Sequence, residues 1–176
     1  MVNGDKTFLI DTSALITPYR QYYAFDLVPS FWEKLKDCFE SGKIVILDKV
    51  WKELKKGGSG DDLSGWLNNN RSSVSICTYK TEAIIKNYAE VLQYIQTSNL
   101  YYESAIAAWA VEGIADPWLI AAARVSDYII VTEEQGSKGI GPKQKNKNPK
   151  IPDVAKALGV DTIPLFEMMR RLKIKI

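Results

Sequence analysis

The chain has 176 residues, 46% of them apolar, with 23 basic against 21 acidic side chains for a net charge of +2. That is long enough to bury the core of one compact domain, and too balanced for a polyanion to be drawn by anything but local patches. Histidine is absent, which excludes Ser-His-Asp and Cys-His hydrolases, histidine-based ribonuclease chemistry and nearly all catalytic zinc sites, so carboxylates and hydroxyls must carry any hydrolysis.

The first apolar run, Thr7-Phe8-Leu9-Ile10, reads as a buried strand that delivers Asp11, Thr12 and Ser13 to its C-terminal end. Taken alone, Asp11 reads as an N-cap or Asx-turn residue opening the next helix. The segment 18–25 is aromatic and polar and receives no regular element. Pro29-Ser30 opens a helix whose Phe31, Leu35, Cys38 and Phe39 share a face, and Gly42 closes it. Ile44 to Leu47 is a second buried parallel strand. Asp48 then caps a helix through Lys56, with Leu47, Val50, Trp51 and Leu54 as its apolar stripe and Glu53 on its flank. Lys49, Lys52, Lys55 and Lys56 crowd the same helix, so a solvated salt-bridged face competes with any functional role for Glu53.

Residues 57–61 (Gly-Gly-Ser-Gly-Asp) lack the phosphate-loop pattern and are expected to be a flexible linker. A short helix at 61–67, a turn at 68–73 and an extended stretch at 74–77 follow. Two helices, 81–98 and 101–112, are expected to pair as a hairpin, with Tyr88 and Trp109 on apolar faces. Ala115-Asp116-Pro117 has the grammar of a helix start. Residues 127–132 form a third parallel strand that ends on Thr132, Glu133 and Glu134. The stretch 136–150, with Lys138, Lys143, Lys145, Lys147 and Lys150, is expected to be a mobile basic loop. A helix from Ile151 through Leu158 follows, closed by Gly159, then an edge strand at 160–163. A final helix from Pro164 through Leu172 carries the basic tail of Arg170, Arg171, Lys173 and Lys175. Cys38 and Cys77 have no metal-ligand spacing and read as reduced thiols. Residues 1–6 are polar, and no apolar run has the length of a signal or membrane helix, so a cytoplasmic location off the membrane is expected.

These elements make an α/β chain with a doubly wound parallel sheet. Such a sheet brings Asp11, Asp116 and Thr132 to Glu134 to one rim, within reach of Glu53 and Asp153. Carboxylates gathered in one pocket repel and desolvate one another, so the cluster calls for cations. Oxygen-only donors point to Mg²⁺ or Mn²⁺.

The sequence resembles PIN-domain proteins, the family of ribonuclease toxins in toxin-antitoxin pairs. The resemblance rests on Phe8-Leu9-Ile10-Asp11-Thr12-Ser13, Val50-Trp51-Lys52-Glu53-Leu54, and Ala115-Asp116-Pro117-Trp118-Leu119-Ile120-Ala121-Ala122, with a further acid expected after Ile130-Val131-Thr132. It implies a single three-layer α/β/α domain over 1–176 with a mainly parallel central sheet, hydrolysing RNA phosphodiesters with Mg²⁺ or Mn²⁺. Asp11, Asp116, Glu134 and Asp153 would hold metal, and Glu53 a metal or the attacking water. Thr12, Ser13 and Thr132 would orient ligands or a phosphate oxygen, or stabilise turns. Lys138, Lys143, Lys145 and Lys147, with the tail, would contact RNA phosphates, or stay solvated. An antitoxin partner and a homodimer are implied as well. Family members carry T-x-D where this chain has Thr132-Glu133-Glu134, which keeps open an inactive PIN-like binding or scaffold module. A haloacid-dehalogenase-type phosphatase needs a second Asp where this chain has Ser13.

Overall fold

The structure is a computed structural model that describes residues 6–56 and 62–176; the expected linker at 57–61 lies outside the described residues. Five strands, β1 (Phe8–Ile10), β2 (Ile44–Leu47), β3 (Ile76–Cys77), β4 (Ile129–Val131) and β5 (Thr162–Ile163), form one sheet in the order β3-β2-β1-β4-β5. Every pairing is parallel, with Phe8 opposite Ile44 and Ile129, and Ile10 opposite Ile46 and Val131. β1 and β4 are buried at each residue, which is why they read as unbroken apolar runs.

Parallel neighbours need crossover connections, and these are right-handed. The chain runs outward from β1 to β2 and β3, then returns past β1 to β4 and β5. That reversal places α1 (Ser13–Gln21), α2 (Pro29–Glu40), α3 (Asp48–Lys56) and α4 (Asp62–Asn69) on one face. α5 (Glu82–Thr97), α6 (Glu103–Trp109), α7 (Asp116–Ser126) and α8 (Ile151–Ala157) lie on the other, and α9 (Leu165–Arg171) follows β5. The result is a three-layer α/β/α domain. The order reverses between β1 and β4, so the crevice at the C-terminal ends of those two strands is the switch point where open α/β sheets take their ligands.

The core runs along both faces, with Leu9, Ile10, Phe31, Trp32, Leu35, Phe39, Ile46 and Leu119 almost wholly buried. Phe25 stacks on Trp32 at 4.2 Å. Burial pushes the Cys77 thiol up to about 11, as befits an unreactive cysteine, and both cysteines are unpaired. Among the described residues no helix is long and apolar enough to cross a membrane.

Three elements differ from expectation. α1 is a helix where none was assigned, with Pro18 inside it. An interior proline costs about 3 kcal/mol of helix stability, but Ala14, Leu15 and Pro18 are buried on one side, and the last turn closes by Tyr22 and Tyr23 N–H donating to the Pro18 carbonyl. α6 is shorter than the run 101–112, because Tyr101 is paired with Asn146, and α5 packs chiefly on α7 rather than on α6. The stretch 136–150 is not a free loop. Asn146 N–H donates to Leu100 O and Tyr102 N–H to Asn146 O, which staple it to the α5–α6 connection, while Asn146 Nδ2 donates to Ser137 Oγ within the stretch.

Candidate active site

β1 ends by handing Asp11 to the switch point. Its backbone N–H donates to Val131 O at 2.9 Å, so the β1–β4 register itself fixes where the side chain starts. Asp11 is only 5% exposed. Its Oδ2 accepts from Ser13 N–H at 3.3 Å, Ser13 Oγ at 2.6 Å and Thr132 Oγ1 at 2.9 Å. Each hydroxyl has a single proton, and with both directed at Asp11 their oxygens accept Glu133 N–H at 3.0 Å and Glu134 N–H at 3.1 Å. Ser13 and Thr132 thus orient the carboxylate, and among the described residues Oδ1 receives no hydrogen bond.

α3 carries Glu53 to the same rim. Its Oε2 accepts from Thr12 Oγ1 at 2.8 Å and its Oε1 from Ala115 N–H at 3.1 Å. Burial, partly offset by those two bonds, raises its pKa, with a further upward push from Asp11. The lysines of α3 therefore do not make Glu53 a surface ion pair. Lys49 is itself 7% exposed, and its ammonium donates to Glu112 O.

Asp116 opens α7 directly after Ala115, and no described residue donates to its side chain. Burial, then the charges of Asp11, Glu134 and Glu53, push its pKa up to about 7, with Lys150 opposing them. Four acids from β1, α3, α7 and the end of β4 thus share one field.

The remaining expected residues are placed differently. Glu134 adds its charge to the pocket, but Oε1 accepts from Lys150 at 2.7 Å and Oε2 from Ile151 N–H at 2.7 Å, so it caps α8. Glu133 turns away to accept Leu165 N–H at 2.8 Å and caps α9. A carboxylate at a helix N-terminus meets unpaired N–H groups and the positive end of the macrodipole. Asp153 is not brought to the group: its Oδ2 accepts Ser137 N–H at 2.8 Å, and its charge bears on Tyr94 and Tyr101. Lys138, Lys143 and Lys147 are exposed, whereas Lys145 donates to Asn99 Oδ1 at 3.0 Å. Arg171 and Lys173 line a cavity of about 720 Å³ with Lys6, Lys43 and Asp161 at the opposite, N-terminal end of the sheet, away from the acids.

Among the described residues no three carboxylates or other metal-binding side chains close on a common point. The donor chemistry nevertheless suits a hard, strongly hydrated cation, which needs one or two carboxylates and completes its shell with water and phosphate oxygen. Asp11 through Oδ1 and Asp116, the acid pushed up by three like charges, are the two with oxygens not committed to protein donors. A cation there would relieve the repulsion that raises Asp116.

The sheet order and the helices on both faces make a PIN-like α/β/α fold. FitAcB from Neisseria gonorrhoeae superposes with a TM-score of 0.57 at 14% identity, over 91% of this chain and 99% of that one. VapBC2 from Rickettsia felis, solved bound to a DNA fragment from their promoter, does so with a TM-score of 0.50 at 15% identity, over 72% of this chain and 86% of that one. At such identities the likeness is one of fold. The family model for a domain of unknown function, DUF4411, matches residues 8–176, and the chain belongs to that family. No curated protein matches its sequence.

Proposed function

We propose that the protein is a metal-dependent endoribonuclease acting in the cytoplasm as the toxin of a toxin-antitoxin pair, with an antitoxin protein and a second copy of the chain as partners. The observation that carries the chemistry is Asp116, largely buried and without a described donor to its carboxylate, in the field of Asp11, Glu134 and Glu53. The toxin role rests on the PIN-like motifs and fold. Asp11 and Asp116 would hold Mg²⁺ or Mn²⁺, which when bound acidifies a water and offsets charge on the phosphate. Ser13 and Thr132 hold Asp11 in one orientation, and Thr12 does the same for Glu53. The raised proton affinity of Glu53 suits it to take a proton from the attacking water. Glu134 adds field strength while capping α8, and Asp153 anchors the basic stretch whose Lys138, Lys143 and Lys147 would meet RNA phosphates.

The test is Mn²⁺-dependent cleavage of structured and unstructured RNAs by wild type and Asp11→Asn. Cleavage that needs the metal and falls about 100-fold or more in the variant is expected, the scale of losing one preorganised electrostatic group. Asp11→Asn cleaving as fast as wild type would refute the mechanism. No cleavage of any RNA, with no stabilisation by Mn²⁺, would identify a binding module, the role that the engagement of Glu134 with Lys150 and Ile151 favours.

A further inference from the structure

Tyr79 lies just beyond β3, on the same rim as the acids, where its backbone N–H donates to Asp48 Oδ1 at 3.3 Å. Three ammonium groups surround its ring: Lys49 at 4.5 Å, Lys52 at 5.6 Å and Lys80 at 5.9 Å from the centroid. None of the three forms an ion pair with a described carboxylate. Lys80 is the sequence neighbour of Tyr79, whereas Lys49 and Lys52 reach the ring from α3, and the ring's negative face attracts each cation electrostatically. Lys49 is built in: it is buried, bonded to Glu112 O, and also 5.2 Å from the Trp118 ring. Lys52 and Lys80 are exposed, and Tyr79 is half-buried. The ring continues an aromatic row, edge-on to Trp118 at 4.8 Å, which stacks on Tyr88 at 3.8 Å.

This row borders the acid pocket. Lys49 stands one turn before Glu53 on α3 and its charge reaches that carboxylate, and Trp118 stands in the same first turn of α7 as Asp116. An aromatic face among unpaired cations is what a single nucleic-acid strand requires, bases stacking on the ring and phosphates meeting the ammonium groups. The acids alone would repel such a strand, so cations beside them give the backbone a place to run.

Resting on the ribonuclease reading above, we propose that Tyr79, Lys52 and Lys80 form a binding site for single-stranded RNA at the edge of the acidic pocket: one base stacks on Tyr79 and the flanking phosphates lie against Lys52 and Lys80. Lys49 and Trp118 hold the ring in place. The site is separate from the basic stretch 136–150.

The experiment is fluorescence anisotropy with a labelled unstructured RNA oligonucleotide in chelator, where no metal-dependent cleavage proceeds, across a salt series. Tyr79→Leu should weaken binding roughly 5- to 150-fold while Tyr79→Phe retains it, the range for losing one stacked base. Lys52→Gln with Lys80→Gln, both at exposed positions and so harmless to folding, should flatten the log–log salt slope by roughly 0.7 for each phosphate that the protein no longer neutralises. A DNA strand of the same sequence bound equally well supports the site and shows that it does not read the 2′-hydroxyl. Tyr79→Leu and the double lysine variant both binding as wild type, or no RNA binding by the wild type, would overturn the proposal. If those variants bind normally while Asp11→Asn loses cleavage, the site fails and the ribonuclease reading stands. If they lose binding and no RNA is ever cleaved, the site stands and that reading fails.

Discussion

Replacing Asp116 by Asn should make the metal-free protein more stable, and the gain should depend on pH. The Asp116 carboxyl moves from its ordinary 3.8 up to about 7 on folding. Between those values the unfolded chain has released its proton and the folded chain has kept it, so stability falls as pH rises through the interval and the full penalty is present above about pH 7. Three pH units at 1.36 kcal/mol each give an upper limit of about 4 kcal/mol. Asp116 is partly open to water, which screens the charges around it, and about half of that limit, some 2 kcal/mol, is the expected effect. For a chain of this size 1 kcal/mol moves the midpoint by about 2–4 °C. Thermal melts in chelator should therefore show Asp116→Asn about 4–8 °C above wild type at pH 8 and level with it near pH 4. Adding Mn²⁺ at about a hundred times its dissociation constant should then stabilise wild type by about 2.7 kcal/mol and the variant far less. Parallel curves for the two proteins from pH 4 to 8 would show that no unrelieved cluster surrounds Asp116.

Glu53→Ala leaves the Thr12 hydroxyl and the Ala115 N–H without the acceptor that each has in the Glu53 carboxylate. A loss of about 1–3 kcal/mol in chemical denaturation is expected, and an unchanged midpoint would contradict the assigned bonds. Asp153→Ala removes the acceptor of Ser137 N–H. Amide exchange should accelerate across residues 137–146 while Mn²⁺ affinity stays the same, and a tenfold fall in that affinity would instead place Asp153 at the metal.

How far the sequence could be read differs from element to element. Ile44 to Leu47 and Ile129 to Val131 announced themselves because strands covered on both sides need apolar residues throughout. α7 was legible from Asp116-Pro117, a local signal. α1 was hidden because Pro18 argues against a helix interior, and only the burial of Ala14 and Leu15 outweighs it. The stretch 136–150 looked unanchored because its ties outside the flanking helix run to Leu100 and Tyr102, partners remote in sequence.

The candidate site divides in the same way. The sequence by itself determined where these acids stand, Asp11 and Glu134 after strands, Asp116 at a helix start and Glu53 on the flank of α3, since strand period, capping grammar and helical periodicity act locally. It also removed histidine chemistry by composition alone. Only the tertiary structure decided how their oxygens are used: Asp11 oriented by Ser13 and Thr132, Glu53 held by Thr12 and Ala115, Glu134 turned to the N-terminus of α8, Asp153 turned to the basic stretch. It alone also gathered Lys49, Lys52 and Lys80 around Tyr79. Apart from the local bond between Ser13 and Asp11, those arrangements depend on hydrogen bonds and charges between separate elements, which the order of strands β3-β2-β1-β4-β5 brings together and no local pattern encodes.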